Sequence, residues 1–233
     1  MSSSILNFEE TDAPFLADPA HSFTMPARFY TSDEVYELEK DAIFYKTWHY
    51  ACHVSQVTEP GAFFTTKIHE QNLFITRGRD NELRAFYNVC AHRGHELVAG
   101  HGRKSLITCP YHAWTFDLQG NLVSARNSEN VANFDRCEFS LKPVRLEVFC
   151  GMVMINLDPD AKPFTEQFDG LEDEIRQYMP SVDDLAFAQR DTFEVESNWK
   201  VLVDNFLECY HCAPAHLDCV DLGDLHSYGP TAP

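Results

Sequence analysis

The chain has 233 residues, 44% of them hydrophobic, and its 18 basic residues against 36 acidic ones leave a formal net charge of -18. That length suits one large domain or two small ones with a real core, and the charge excludes phosphate backbones and anionic membrane surfaces as natural partners: no nucleic acid, no membrane. The first twenty residues have neither a basic start nor an apolar run, and no stretch of eighteen apolar residues occurs anywhere, so the expectation is a soluble, cytoplasmic protein. Eight cysteines are too sparse for a disulfide scaffold and read as thiols, either buried or metal-binding.

Taken in chain order, SDEVYELEKDAIFYKTW has acids in its first turn and apolar Val35, Leu38, Ala42 and Ile43 at helical spacing, which predicts a helix over 33–46. AFFTTKI, NLFITR and LRAFYNV are rich in β-branched and aromatic residues and are separated by turn-forming clusters, so they read as antiparallel strands. Further short strands are expected at 106–108, 114–118, 144–149 and 152–157, giving one compact β domain from about 48 to 157. After the turn-rich 158–163, Phe168, Leu171, Ile175 and Tyr178 mark a helix face, a strand is expected over 187–197, and a last helix runs from Asn198 to about Ala213, stopped by Pro214. Asp204, Glu208 and His211 fall at i, i+4 and i+7 on its polar side.

Two loops of the β domain carry chemistry. NVCAHRGHEL presents Cys90 and His92, and sixteen residues later ITCPYHAWTF presents Cys109 and His112. A Cys2His2 set can bind zinc. Zinc fingers, however, group their cysteines together and their histidines together, whereas here each loop gives one of each. The mixed pattern suits a [2Fe–2S] cluster with both thiolates on one iron and both imidazoles on the other. His95 and His101 are expected to be ordinary loop histidines. A second dense stretch is ECYHCAPAHLDC, twelve residues from Glu208 to Cys219. Read by sulfur, Cys209, Cys212, His216 and Cys219 make a zinc knuckle; read by nitrogen and oxygen, Glu208, His211 and His216 make part of a non-haem iron site.

Cys90-Ala-His92-Arg-Gly together with Cys109-Pro-Tyr-His112-x-Trp114 resembles the cluster loops of the Rieske non-haem iron oxygenases, α subunits. The resemblance implies an α+β fold: a tail and helix over 1–47, an antiparallel β Rieske domain over 48–157, and over 158–233 the start of a helix-grip (START-like) catalytic domain. It implies a [2Fe–2S] cluster on Cys90, His92, Cys109 and His112, and a mononuclear Fe(II) on His211 and His216. Glu208 is, by the same resemblance, a bridge between the two sites, linking His211 to His112 of a neighbouring subunit. A carboxylate can accept from the free N–H of two metal-bound imidazoles and orient both rings. The family's partners follow: a flavin and iron–sulfur reductase drawing on NAD(P)H, a small-molecule substrate, and a homotrimeric assembly.

The runs NWKVLVDNFLECYHCAPAH, FTMPARFYTS and AFYNVCAHRGHEL are similar to those of the carnitine, glycine betaine and stachydrine oxygenases, which points to oxidation beside a quaternary amine nitrogen. An aromatic-ring-hydroxylating dioxygenase α subunit and a Rieske electron carrier without oxygenase activity are the competing expectations; His211 and His216 behind Glu208 separate the carrier from the rest. The family's third iron ligand is a distant aspartate. Asp218, Asp221 and Asp224 follow His216 too closely to match it, so the expectation is an N-terminal portion of an α subunit that lacks this ligand.

Overall fold

The structure is a computed structural model and describes residues 16, 18, 20–207, 211 and 215. It divides into two compact units, residues 1–38 with 190–233, and residues 39–189.

The larger unit is built on antiparallel strands: β1 (His49–His53), β2 (Ala62–Ile68), β3 (Gln71–Arg77), β4 (Leu83–Tyr87), β5 (His101–Arg103), β6 (Ile107–Thr108), β7 (Thr115–Phe116), β8 (Leu122–Ser124), β9 (Pro143–Phe149) and β10 (Met152–Asn156). Seven form one sheet in the order β1-β10-β9-β4-β3-β2-β5, and β6-β7-β8 form a second. Side chains of a strand alternate between faces, and β3 uses both. Leu73 and Ile75 enter one core with Ala51, Cys52, Val57 and Val153. Phe74 enters another with Phe63, Phe86, Ile107, Phe116 and the two cysteines of the chemical loops. Phe74 and Phe86, paired across β3 and β4, bring their rings to 5.6 Å. The loop cysteines therefore stand on a packed hydrophobic floor. A third cluster gathers Trp48, Phe149, Met154 and Phe164 beneath the helices α3 (Phe164–Gln167) and α4 (Leu171–Tyr178), numbered in chain order.

The smaller unit holds α1 (Arg28–Thr31), most of α2 (Asp33–Glu39) and α5 (Trp199–Leu207). Within it the Tyr30 hydroxyl donates to Asp204 Oδ2 at 2.9 Å, and the ammonium of buried Lys200 lies over the Tyr30 and Trp199 rings at 5.7 and 5.1 Å. Phe206 and Leu207 of α5 are exposed.

The antiparallel α+β architecture agrees with the sequence reading, and the expected helix over 33–46 is α2 continued by a π-turn over Lys40–Phe44. The strand expected over 187–197 is not one: these residues adopt no regular structure, and Phe193 and Val195 are exposed. Alternating apolar residues make a strand when another strand offers its ladder, and no described strand lies alongside. Phe168 is not helical either; it falls between α3 and α4, where Gly170 at φ 79° starts α4.

Candidate metal centre

The first chemical loop leaves β4 and the second is the tip of the β6–β7 hairpin, and the two share a backbone hydrogen-bond pattern. The Cys90 N–H donates to the His95 carbonyl at 2.8 Å, and the Gly94 N–H donates to the Cys90 carbonyl at 2.9 Å. In the second loop the Cys109 N–H donates to the Trp114 carbonyl at 2.8 Å, and the Ala113 N–H to the Cys109 carbonyl at 3.0 Å. The fifth residue of each ring is left-handed, Gly94 at φ 70° and Ala113 at φ 58°, a conformation that turns the chain back over its own cysteine. The histidine is third in one loop and fourth in the other.

This repetition sorts the side chains by element. Cys90 and Cys109 are both buried and free of disulfides, share one hydrophobic core cluster, and the Cys90 thiol feels Cys109 as a neighbour. The His92 and His112 rings meet edge to face with centroids 4.7 Å apart. Burial pushes the Cys90 thiol above its usual range and the neighbouring Cys109 adds to that, while the backbone N–H groups of His92 and Arg93, aimed at the sulfur, act in the opposite sense and favour thiolate. The His92 imidazole is held below its ordinary pKa, by burial first and then by the neighbouring His112 and Arg93. Its Nδ1 is buried without a hydrogen-bond partner, which costs on the order of 1–3 kcal/mol unless something else satisfies it.

The two sides of this constellation open differently. The imidazoles face a groove of about 470 Å³ whose rim carries Arg93, Pro110, Tyr111 and Arg126. Beside Cys90 lies a second groove of about 670 Å³, lined among others by Tyr87, Val89, Phe139 and Lys142.

The first loop is also clamped from below by a residue that spacing arguments passed over. Asn88, buried two positions before Cys90, donates from Nδ2 to the Val98 carbonyl at 2.7 Å and to Glu96 Oε1 at 3.1 Å. Its Oδ1 accepts from the Leu97 and Val98 N–H groups, each at 3.1 Å. An asparagine is not a conventional ligand, so motif reading gives it no weight; its place at the root of the loop was the available signal. His95 and His101 are exposed, and His95 Nδ1 is 2.6 Å from the Glu96 carbonyl.

Of the second set, His211 is described and its carbonyl accepts from the Ala215 N–H at 2.9 Å. Glu208 and His216 lie outside the described residues, as do Cys209, Cys212 and Cys219 of the zinc-knuckle alternative and Asp218, Asp221 and Asp224.

Residues 47–135 match the Rieske [2Fe-2S] domain, and residues 182–231 match the catalytic domain of ring-hydroxylating α subunits. These two regions are thus similar to the two domains of a Rieske oxygenase α subunit. It is 50% identical over 218 residues to the carnitine monooxygenase oxygenase subunit of Escherichia coli (strain K12), an alignment that takes in 93% of this chain and 58% of the relative. The structure superimposes with a TM-score of 0.86 on that of the quaternary ammonium Rieske monooxygenase CntA in complex with L-carnitine, at 46% identity, covering 90% of this chain and 60% of that one. Against naphthalene 1,2-dioxygenase from Rhodococcus sp. the TM-score is 0.78 and the identity 28%, covering 86% of this chain and 47% of the other. The chain thus spans about three fifths of the length of its carnitine-oxidising relatives.

A Rieske domain carries a [2Fe–2S] cluster, and the donor set here fits one. A paired-thiol and paired-imidazole set supplies two donors to each of two irons. The orphaned Nδ1 of His92 is the kind of buried atom that an iron satisfies.

Proposed function

We propose that this chain serves in the oxygenase component of a two-component Rieske monooxygenase acting on a quaternary ammonium substrate such as carnitine, with electrons drawn from NAD(P)H through a separate flavin and iron–sulfur reductase. The observation that carries this reading is that Cys90 and Cys109 share one core cluster and His92 meets His112, in two loops with the same backbone hydrogen-bond pattern. In this reading Cys90 and Cys109 hold one iron and His92 and His112 the other, while His211 and His216 are two of the ligands of a mononuclear iron. When bound, the cluster supplies one-electron transfer and the mononuclear iron supplies oxygen activation. The protein's own part is to seat the two thiols on a packed hydrophobic floor, to favour thiolate at Cys90 through the His92 and Arg93 backbone N–H groups, and to leave the imidazole side open to its surroundings.

Glu208 is proposed as the bridge between sites: Glu208 of the partner subunit accepts from the free ring N–H of His112, and in turn from His211, in a homotrimer. Inter-subunit electron transfer has been described for the quaternary ammonium Rieske monooxygenase, and the exposed imidazole groove has room for such an approach. The match of residues 182–231 to a catalytic domain supports an oxygenase over an electron carrier. The higher identity to carnitine-oxidising relatives than to naphthalene dioxygenase supports the quaternary amine over an aromatic ring. Among the described residues no helix is long and apolar enough to cross a membrane, and a cytoplasmic location is proposed.

The test is reductase-coupled oxidation of carnitine by the assembled oxygenase with Glu208 intact and as Glu208→Gln. The substitution should leave the cluster spectrum unchanged and abolish most substrate-linked electron transfer, because a carboxylate that only orients imidazoles disturbs orientation before ligation. Equal turnover by both forms would remove the bridge from the mechanism.

A further inference from the structure

The two imidazoles have different aromatic neighbours, built with different rigidity. The Trp114 indole lies flat on His92, ring centroids 4.8 Å apart and planes 8° from parallel. Trp114 is buried and is met edge-on by Phe134 at 5.8 Å and Phe139 at 5.5 Å, two rings that stack on each other at 4.9 Å. Tyr111 approaches His112 to 3.7 Å between centroids with a 37° tilt, but is 57% exposed. Its other ring neighbour is His95 at 5.7 Å. Among the described residues no ring contact joins Trp114 to His112 or Tyr111 to His92.

We propose that Trp114 is a positioning residue that fixes the ring plane of His92, whereas His112, which meets His92 edge to face at 4.7 Å, has the exposed Tyr111 in place of a buried wall. The inference rests on the reading of His92 and His112 as the imidazole ligands. A ring lying flat on a wider one can slide within the contact plane, but any tilt drives an edge into the indole. The indole cannot retreat, because Phe134 and Phe139 close it from behind. Stacked aromatic pairs contribute attraction beyond their burial, and a buried, backed ring loses none of it to solvent motion. His112 has no such wall: beside its edge-to-face contact with His92 it has Tyr111, which can swing away at the surface, so its imidazole has more latitude to take the orientation that a docking carboxylate imposes. One imidazole is thereby preset by the core of the domain, and the other answers to what binds the groove. Packing around metal ligands acts on the metal through ring orientation, so the separation is visible in the electron spin that each coordinating nitrogen receives.

The experiment is pulsed EPR on the cluster-loaded, dithionite-reduced chain, reading the nitrogen hyperfine couplings of the two imidazoles in the wild type, Trp114→Phe, Trp114→Leu and Tyr111→Leu. Two resolved couplings are expected in the wild type. Trp114→Leu should shift one and leave the other in place, Trp114→Phe should return most of that shift, and Tyr111→Leu should move the other coupling alone. Should Trp114→Leu fail to hold a cluster, Phe139→Leu keeps the indole while removing its backing, and a smaller shift of the same coupling is expected there. Couplings that stay unchanged, or that move together in every variant, overturn the proposal. A wild-type protein without coordinated nitrogen would instead overturn the ligand reading beneath it, and the two failures are distinct.

Discussion

The Asn88 amide donates to the Val98 carbonyl at 2.7 Å and accepts the Val98 N–H at 3.1 Å, a two-way contact that closes the ten-residue span carrying Cys90 and His92. With the bonds to Glu96 and Leu97, one buried side chain satisfies backbone groups that the loop would otherwise leave unpaired beneath the centre.

Asn88→Leu should therefore cost about 2–4 kcal/mol, since it strands several buried polar groups at once without changing the volume much. Chemical denaturation measures that loss. The same variant should release cluster iron to a chelator faster than the wild type does, because the loop carrying Cys90 and His92 is freed at its root. A fall in stability with unaltered iron release would mean that Asn88 supports the fold and leaves the centre alone.

Gly94 and Gly120 separate backbone strain from steric clash. Both have positive φ, 70° and 90°. A Cβ at Gly94 would meet nothing nearer than Val89 Cγ2 at 4.0 Å, whereas one at Gly120 would lie 2.5 Å from Phe86 Cε1. Gly94→Ala should cost roughly 1 kcal/mol from the left-handed conformation alone. Gly120→Ala should cost more, about 2–4 kcal/mol, because Phe86 is a buried ring in the same core as the cysteines and cannot move aside. Thermal unfolding of the two variants orders them; equal losses would mean that Phe86 yields.

The ion pair at the β3–β4 turn sets a pH dependence. Arg84 donates from Nη1 and Nη2 to the two oxygens of Asp80 at 2.9 and 2.7 Å, and this holds the Asp80 carboxyl down from its ordinary 3.8 to about 2. A depressed carboxylate contributes stability that is present above its ordinary pKa and is lost as pH falls towards the folded value. Asp80→Asn should lower the melting temperature at neutral pH, with most of the difference gone by about pH 2, where the wild-type carboxylate is half protonated, and none left below it. The pair is exposed, so the shift should be small. A difference that persists undiminished at the acid end would point to a loss of shape at the turn rather than of charge.

Much of this was legible in sequence, and the limits are physical. β2, β3, β4, β9 and β10 announce themselves because alternating β-branched and aromatic residues are punctuated by turn formers. β1, reading His-Tyr-Ala-Cys-His, and β5, reading His-Gly-Arg, have no such pattern; they are strands because β10 and β2 present ladders to them. The reverse holds for 187–197, which has the composition of a strand and no described partner. Cys90, His92, Cys109 and His112 stood out because metal chemistry needs those residue types at short spacing. Asn88 and the wall of Phe134 and Phe139 behind Trp114 did not, because hydrogen-bond clamps and ring stacks depend on three-dimensional closeness that spacing does not encode.

His92→Cys and His112→Cys should each lower the midpoint potential of the cluster, since a thiolate adds negative charge and stabilises the oxidised irons more than a neutral imidazole does. Protein-film voltammetry reads the change. If either variant keeps the wild-type potential, that histidine is not a ligand.

The central claim is the mixed ligation of one two-iron cluster by Cys90, His92, Cys109 and His112. Metal analysis combined with low-temperature EPR of the dithionite-reduced chain tests it most directly. A brown protein is expected, with about two cluster irons and the low average g value of a [2Fe–2S] centre with nitrogen on one iron, the signal vanishing in Cys90→Ser and Cys109→Ser. A colourless protein carrying one zinc, or a [2Fe–2S] signal with sulfur ligation alone, would contradict it.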